Sequence, residues 1–259
     1  GCFLETARGA PQEGVGIKFT ESGKIEIRVG TESNGQGHET TFKQIASTRL
    51  GVPIEVLEYI QADTEQVTIG FGHGGARSMH MGAGTMALAI DSAIEKAGRV
   101  AATLLQTDIE ELSFDKGAFL TRKDQRSVSI IEVASAARNS DIRPSLGENG
   151  IDTFYKREEA PFTFPNGCHA AEVEIDPDTG SLTLVNYVMV DDYGSLVNPA
   201  LTEGQLHGGV VQGIGQALEE FVAFDPETGQ LLSGSLMDYT APRAASFPFF
   251  KAHFQGVPT

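Results

Sequence analysis

A turn at residues 35–37, Gly-Gln-Gly, is the feature that most constrains the fold of this chain. It follows an alternating apolar segment, residues 24–29, and precedes a helix that we expect to begin near Thr40. Two glycines let the backbone approach a ligand closely. The turn also directs the Gln36 amide and the free N–H groups of the helix start toward one place. A tight turn capped by Thr40 is the alternative interpretation.

Two further glycine-rich segments follow in the sequence. Residues 70–78 have glycine at four positions and end in Arg77 and Ser78, just ahead of a long predicted helix. Successive N–H groups in such a loop form a concavity for anions, and an arginine can bridge phosphate oxygens. Residues 204–220 form a predicted helix with five glycines and Gln212, and each glycine costs a helix about 1 kcal/mol relative to alanine. The alternatives are a flexible surface loop and a tightly packed helix crossing.

The pattern of the whole chain predicts an α+β fold of two lobes of largely antiparallel sheet with packed helices. Residues 139–150 are rich in Pro, Gly, Asn and Ser, which indicates a linker and a division into lobes 1–150 and 151–259. Tight turns are predicted at 21–24, 115–117, 176–180 and 225–229. A strand is predicted at 56–60, and helices at 40–50, 85–105, 127–138 and 199–220.

The three glycine-rich segments, in this order, resemble the cofactor-binding subunit of the molybdenum hydroxylases, the xanthine dehydrogenase and aldehyde oxidase family. The resemblance runs over essentially the whole chain and includes the stretches 50–53, 180–182, 197–199 and 237–239. It implies the fold of the molybdopterin-binding domain of xanthine dehydrogenase-like proteins. It also implies a molybdenum-pterin cofactor, either molybdopterin or its dinucleotide form.

The resemblance implies which residues contact that cofactor. In the family, the glutamine of the first motif lies against the molybdenum centre and its pterin. The glycine-rich loop contacts the pyranopterin and its phosphate or dinucleotide tail, and the glutamine of the late helix approaches the molybdenum ligands. Ala76 replaces the usual serine of the loop, so any contact there depends on the backbone. The expected cofactor-binding residues are Gly35, Gln36, Gly37, His38, Gly74, Gly75, Ala76, Arg77, Ser78, Gly209 and Gln212.

The resemblance further implies hydroxylation of an aldehyde or N-heteroaromatic substrate, with water as the oxygen source. The family's base, a glutamate, would lie beyond Thr259, so we expect no catalytic residue in this chain and no activity from it alone. Both ends of the sequence are abrupt, which favours a fragment or processed piece. The resemblance also implies iron–sulfur and FAD centres. Iron–sulfur clusters need sets of four cysteines, which this sequence lacks, so both kinds of centre are expected on other domains or subunits.

Composition restricts the partners. A net charge of −16 argues against nucleic acid and anionic membrane surfaces, which select basic patches. We expect the missing N-terminal half of the same subunit, iron–sulfur and possibly FAD subunits, and a small substrate, with a homodimer also possible. Two cysteines, Cys2 and Cys168, are too few and too far apart for a disulfide framework. They predict a reducing compartment, the cytoplasm, with Cys168 as a buried free thiol.

Two other hypotheses remain at this point. In the first, the chain is a non-catalytic assembly module whose motif loops no longer bind a cofactor, and the alanine at position 76 gives it slight support. In the second, His38, His73 and His80 hold zinc or copper. The second is disfavoured because these histidines form no i,i+4 pair and have no cysteine cluster nearby, so we predict no metal-ligating side chains.

Overall fold

The computed structural model describes residues 1–138 and 150–257, so most of the predicted linker lies outside the described residues. The chain divides into a large unit, Thr6–Thr163, and a small unit made of Gly1–Glu5 and Phe164–Thr259. Residues 153–157 follow the predicted boundary at residue 150, yet they form a strand of the large unit's sheet.

The described residues form eleven strands and four α-helices. The strands are β1 (Cys2–Leu4), β2 (Glu13–Phe19), β3 (Ile25–Val29), β4 (Leu57–Ile60), β5 (Leu112–Asp115), β6 (Ala118–Thr121), β7 (Ser127–Ser129), β8 (Thr153–Arg157), β9 (Asn166–Ile175), β10 (Leu182–Asp192) and β11 (Lys251–Phe254). The helices are α1 (His38–Leu50), α2 (Gly84–Leu105), α3 (Ile130–Ala136) and α4 (Pro199–Leu218). The predicted α+β class is confirmed.

The large unit contains two sheets. One has the strand order β4-β3-β2-β8, in which β3 and β4 are parallel and the other pairs are antiparallel. The second is the antiparallel sheet β5-β6-β7. Helix α2 packs on β2 and β8 with its alanine-rich face buried, because small side chains allow the helix to approach the sheet closely.

The small unit is a four-stranded sheet with the order β1-β9-β10-β11. Strands β9 and β10 form a long antiparallel hairpin around the turn predicted at residues 176–180. Helix α4 buries one side against this sheet through Leu206, Val210 and Ile214, which cluster with Met189 of β10. The predicted turn at 225–229 is also present, but it is flanked by a single bridge between Phe224 and Leu231 rather than by two strands.

Two sequence expectations are corrected by the structure, and one feature is new. The predicted helix 127–138 is divided into β7 and α3, because Ser129 and Glu132 form a capping box that starts the helix at Ile130. Cys168 is exposed, not buried, because the residue lies on the sheet strand β9 opposite Cys2 of β1. A π-helical turn, Ser78–Ala83, also precedes α2, and such turns frequently occur at functional sites.

Among residues 1–138 and 150–257, none of the helices has the length and apolar character needed to cross a membrane.

The end of α1 contacts the backbone of the β5–β6 turn. Gly51 ends the helix in the left-handed region, with φ of +64°, and a Cβ added there would overlap the backbone nitrogen of Gly117. We predict that Gly51→Ala lowers the free energy of unfolding by about 3 kcal/mol or more. About 1–2 kcal/mol comes from the left-handed conformation, and the rest comes from displacing the neighbouring turn.

The control is Gly23→Ala in the β2–β3 turn. Gly23 also has a positive φ, +79°, but a Cβ there would meet no other atom within 4 Å. Urea denaturation of the 259-residue chain should therefore show a loss of only about 1 kcal/mol for this variant. Equal losses for the two variants would contradict the proposed backbone contact.

Candidate functional site

The parallel pair β3 and β4 determines where two of the glycine-rich motifs lie. Both strands end at the same edge of the sheet, since α1 connects them as a crossover. The segments that follow them, 30–37 and 61–77, therefore leave the sheet side by side. Ligands of α/β units commonly bind at the carboxyl ends of parallel strands. The structure thus brings the Gly-Gln-Gly turn and the loop 70–76 to one edge.

Hydrogen bonds join the two segments. The backbone N–H of Ser33 donates to the Gln61 amide oxygen at 2.8 Å, and the Tyr59 hydroxyl donates to the Thr31 carbonyl at 3.4 Å. The hydroxyls of Thr31 and Ser78 are 2.8 Å apart in a buried contact. Ser78, an expected cofactor contact, thus uses its hydroxyl within the protein to hold the start of the π-helical turn against the first segment.

Hydrogen bonds fix the orientation of the Gln36 side-chain amide. Its side-chain oxygen accepts from the backbone N–H of Asn34 at 2.7 Å and from the Ser33 hydroxyl at 3.2 Å. A backbone N–H can bond only an acceptor, so these contacts place the NH₂ group of the amide on the other side. Among the described residues, the Gln36 Nε2 atom has no partner. The turn therefore leaves one side-chain hydrogen-bond donor open.

His38 begins α1 and is only 4 % exposed. Its ring packs against Phe42 at 5.6 Å between centroids. The Nδ1 atoms of His38 and of His73 in the second segment are both buried without a partner in the described part of the chain. Burial is the main cause that lowers the pKa of His38, and the nearby His73 lowers it further. The two motif segments thus each contribute an imidazole with an unsatisfied nitrogen, although no set of three metal ligands is found among the described residues.

The backbone of Gly74, Gly75 and Ala76 is exposed at the tip of the second segment. A Cβ added at Gly74 would meet no other atom within 4 Å, whereas one at Gly75 would lie 2.7 Å from the Cα of Gly9. The Arg8 N–H donates to the Gly75 carbonyl at 3.3 Å. The loop therefore rests on the segment before β2 and keeps an open backbone face, which fits the approach of an anion.

Arg77 is fully buried, so it does not present its charge to a ligand. One guanidinium nitrogen is 2.8 Å from the Glu13 carboxylate and also donates to the Gly72 carbonyl at 2.8 Å. The other two nitrogens donate to the carbonyls of Gln12 and Ala10. Both side chains of the ion pair have 0 % exposure. Arg77 therefore ties the glycine-rich loop to the start of β2.

Glu13 is the partner that sequence reasoning missed. Burial raises the pKa of its carboxyl, and the Arg77 guanidinium opposes that rise. The Gly14 N–H donates to the same carboxylate at 3.0 Å. Glu13 is 64 residues from Arg77 in sequence, and nothing in the local pattern of β2 marks it. Gly9, Thr31 and Gln61 also have no local signal in the sequence. They position the motifs through contacts with residues that are distant in the sequence.

The third motif lies on α4 in the small unit. Its buried side is apolar, and the opposite side carries Gly208, Gly209, Gln212 and Gly213, all exposed. A Cβ added at any of these three glycines would meet no atom within 4 Å, and the same is true of Gly204. Close packing within the described chain therefore does not explain these glycines, with the exception of Gly215, which packs on Pro242. The helix instead presents an open backbone face with Gln212 in its middle.

We predict that Arg77→Met lowers the free energy of unfolding by about 3–5 kcal/mol, because it leaves the buried Glu13 carboxylate without its counterion. Adding Glu13→Gln should recover part of this loss. The control is Arg49→Met, which removes an exposed ion pair with Asp91 at 2.6 Å and should cost about 0–1 kcal/mol. Urea denaturation gives the free energy of unfolding of the unaltered chain, the two single variants and the double variant. Similar losses for Arg77→Met and Arg49→Met would contradict the role of the buried ion pair.

We also predict a pH dependence at His38. Its pKa in the folded protein lies below the ordinary value of 6.5, so the unfolded chain binds the proton more readily. Its contribution to stability is complete above pH 6.5 and is lost as the pH falls from there through the lowered pKa. Replacement by phenylalanine, which keeps the packing on Phe42, should weaken this loss.

The measurement is the urea midpoint at about pH 7.5 and about pH 5.5, on either side of the ordinary histidine pKa. The difference between the two midpoints should be smaller for His38→Phe than for the unaltered chain. His73 also lowers the pKa of His38, so His73→Asn serves as a second variant that separates its influence. An identical pH dependence in all three proteins would refute the role of His38.

Comparison with known proteins identifies the family of this chain. The family model of the molybdopterin cofactor-binding domain matches residues 1–248. The chain is 32 % identical to the carbon monoxide dehydrogenase large chain of Hydrogenophaga pseudoflava over 94 % of its own length and 30 % of the relative's. It is 33 % identical to the nicotine 6-hydroxylase large subunit of Paenarthrobacter nicotinovorans over 94 % of its length and 30 % of that subunit.

A solved structure gives the same result. The quinoline 2-oxidoreductase of Pseudomonas putida 86 matches with a TM-score of 0.88 and 29 % identity, over 100 % of this chain and 34 % of that one. The chain thus spans about a third of the length of the relatives it matches. These matches confirm the expected family and its molybdenum-pterin cofactor. The chain belongs to the molybdopterin cofactor-binding domain family of the molybdenum hydroxylases.

Proposed function

We propose that this chain forms part of the cofactor site of a molybdenum hydroxylase subunit that acts on an N-heteroaromatic or aldehyde substrate, with water as the oxygen source. The observation that carries the proposal is the family match over residues 1–248, together with the two motif segments at one sheet edge. Two of the similar proteins are named for nicotine and quinoline, which are N-heteroaromatic compounds, and this favours a ring substrate. A third is named for carbon monoxide, which is the competing substrate class.

The chain's own residues have distinct roles in this proposal. The Gln36 NH₂ donates a hydrogen bond to an acceptor atom of the cofactor, because its amide oxygen is already engaged. The backbone of Gly74–Ala76 receives the phosphate or dinucleotide tail. Arg77 and Ser78 act indirectly, since their polar atoms are bound inside the protein and hold the loop in place. The absence of a hydroxyl at Ala76 is then tolerated.

The first segment also contributes shape and a buried acceptor. Gly35 and Gly37 keep the turn free of side chains, and an added Cβ at Gly35 would meet no atom within 4 Å. The unpartnered Nδ1 of His38 lies beside this turn and can accept a hydrogen bond from a ring N–H of the cofactor. On α4, Gly209 leaves room for the cofactor and Gln212 approaches it in the complete subunit. When bound, the cofactor supplies the redox and oxygen-transfer chemistry.

The remaining functions are assigned to parts of the enzyme outside this chain. We propose that the rest of the subunit supplies the base, and that iron–sulfur and FAD centres on other domains or subunits accept the electrons. The isolated chain is then inactive. In the small unit, Phe221, Leu236, Met237 and Phe249 are at least 72 % exposed, which fits coverage by the rest of the subunit or by a second copy. We place the enzyme in the cytoplasm.

A non-catalytic assembly module is the second candidate. The observation that favours it is the state of the loop side chains: position 76 has no hydroxyl, and Arg77 and Ser78 are turned into the protein. In that case, backbone contacts alone would remain at the phosphate end. The two candidates differ in whether the complete subunit holds the cofactor.

The deciding experiment measures molybdenum content and oxidised-pterin fluorescence on the complete native subunit that contains this chain, purified from its own host. Near-stoichiometric amounts of both support the enzyme, and assays with N-heteroaromatic and aldehyde compounds then address the substrate. Absence of both from folded, fully assembled protein supports the assembly module instead.

Gln36 provides a sharper prediction. Gln36→Glu keeps an acceptor for the Asn34 N–H but replaces the donor group with a carboxylate oxygen. Loss of one hydrogen bond to the cofactor, with a carboxylate in its place, should lower turnover by about 10–100-fold, a loss of about 1.5–3 kcal/mol. The unfolding midpoint of the cofactor-free chain should change little. Molybdenum content, pterin content and rate are the readouts.

The control variant is Gln125→Ala, because that glutamine lies in the β6–β7 turn and donates to backbone carbonyls there. It should leave cofactor content and rate unchanged. A Gln36→Glu enzyme with normal molybdenum, pterin and rate would remove the proposed donor role, while leaving the family assignment intact.

A further inference from the structure

The two cysteines of the chain lie opposite each other on adjacent strands of the small unit. Cys2 of β1 pairs with Cys168 of β9 in the antiparallel register, and their sulfur atoms are 2.9 Å apart. Both residues are exposed and both are free thiols. Their separation of 166 positions in sequence gives no sign of this contact.

The backbone hydrogen bonds show which kind of pair this is. The amino group of Gly1 donates to the His169 carbonyl at 2.7 Å, and the His169 N–H donates to the Gly1 carbonyl at 2.7 Å. Gly1 and His169 therefore form a hydrogen-bonded pair, and the next pair, Cys2 with Cys168, is a non-hydrogen-bonded one. In such pairs the Cα atoms are about 4.5 Å apart and the side chains approach most closely. That distance lies within the range that a disulfide spans.

We propose that Cys2 and Cys168 form a reversible disulfide that clips β1 to β9. A small-molecule disulfide serves as the oxidant. One cysteine, as its thiolate, attacks that disulfide and releases one small thiol, and the second cysteine then displaces the other. The two protein thiols are oxidised to one S–S bond, the small disulfide is reduced to two small thiols, and the protons pass to those thiols.

The chemical setting allows this exchange. Exposure gives an oxidant access to the pair, and the two sulfurs are already held together by the strand register, so little conformational freedom is lost when the bond forms. The neighbouring Cys2 raises the pKa of the Cys168 thiol, which keeps this cysteine mostly protonated at neutral pH. The exchange should therefore quicken as the pH rises.

The clip has a structural target. β1 is an edge strand of three residues, Cys2–Leu4, and among the described residues it pairs only with β9. The chain then enters the large unit at Thr6. Short edge strands are the first parts of a sheet to open. A disulfide at Cys2 would hold this strand in place while the rest of the sheet is unchanged.

The test uses the complete subunit, first reduced and then treated with oxidised glutathione. Free thiols are blocked with iodoacetamide, and the protein is digested and analysed by mass spectrometry without reduction. We expect one cross-linked peptide that contains Cys2 and Cys168, with the loss of both thiols, and we expect dithiothreitol to reverse it. Separate glutathione adducts on the two cysteines, or thiols that stay open to iodoacetamide, would overturn the proposal.

Two single variants complete the test. Cys2→Ser and Cys168→Ser should each give only a glutathione adduct on the remaining cysteine. Amide hydrogen exchange at residues 2–4 should slow on oxidation of the unaltered subunit but not of either variant. Unchanged exchange in the oxidised, cross-linked subunit would show that the bond does not secure β1, and would overturn that part of the proposal.

Discussion

The buried ion pair between Arg77 and Glu13 is the interaction on which the candidate site depends. A loop rich in glycine has little of its own to hold its shape, since glycine loses more backbone freedom on ordering than any other residue. Here one guanidinium satisfies a carboxylate and three backbone carbonyls at the junction of the loop and β2. The loop tip can therefore stay open while its base is fixed.

The same principle recurs at the first segment. Ser33 binds Gln61, Thr31 binds Ser78 at the start of the π-helical turn, and the Gln36 oxygen closes its own turn. Polar groups that are bound inside the protein fix the positions of the two segments. Polar groups that stay open are the ones available to bind a ligand. Preorganisation of this kind reduces the cost of ordering a site when the ligand binds. It also separates the motif residues whose polar groups are bound inside the protein from those whose polar groups stay open.

The sequence predicted the turns, the long helices and the α+β class well, because glycine punctuation and apolar periodicity are local signals. It also located the three motifs and their family. It did not predict that Arg77 points inward, since its partner Glu13 lies far away in the chain and a single arginine is compatible with either direction. The exposure of Cys168 was missed for a similar reason, because β1 pairs with β9 and the two cysteines are 166 positions apart in the sequence. Periodicity along the sequence does not show which distant residues or strands pair with each other.

The open face of α4 has a consequence of its own. Along Gly208, Gly209 and Gly213 the helix backbone is its outermost surface, with no side chain standing above it. A neighbour seated there would touch main-chain atoms directly, so the distance between the two would be set by backbone dimensions and not by flexible side chains. The helix backbone would therefore determine how closely the neighbour approaches. The Gln212 side chain would extend from this surface and place its amide one side-chain length beyond the backbone.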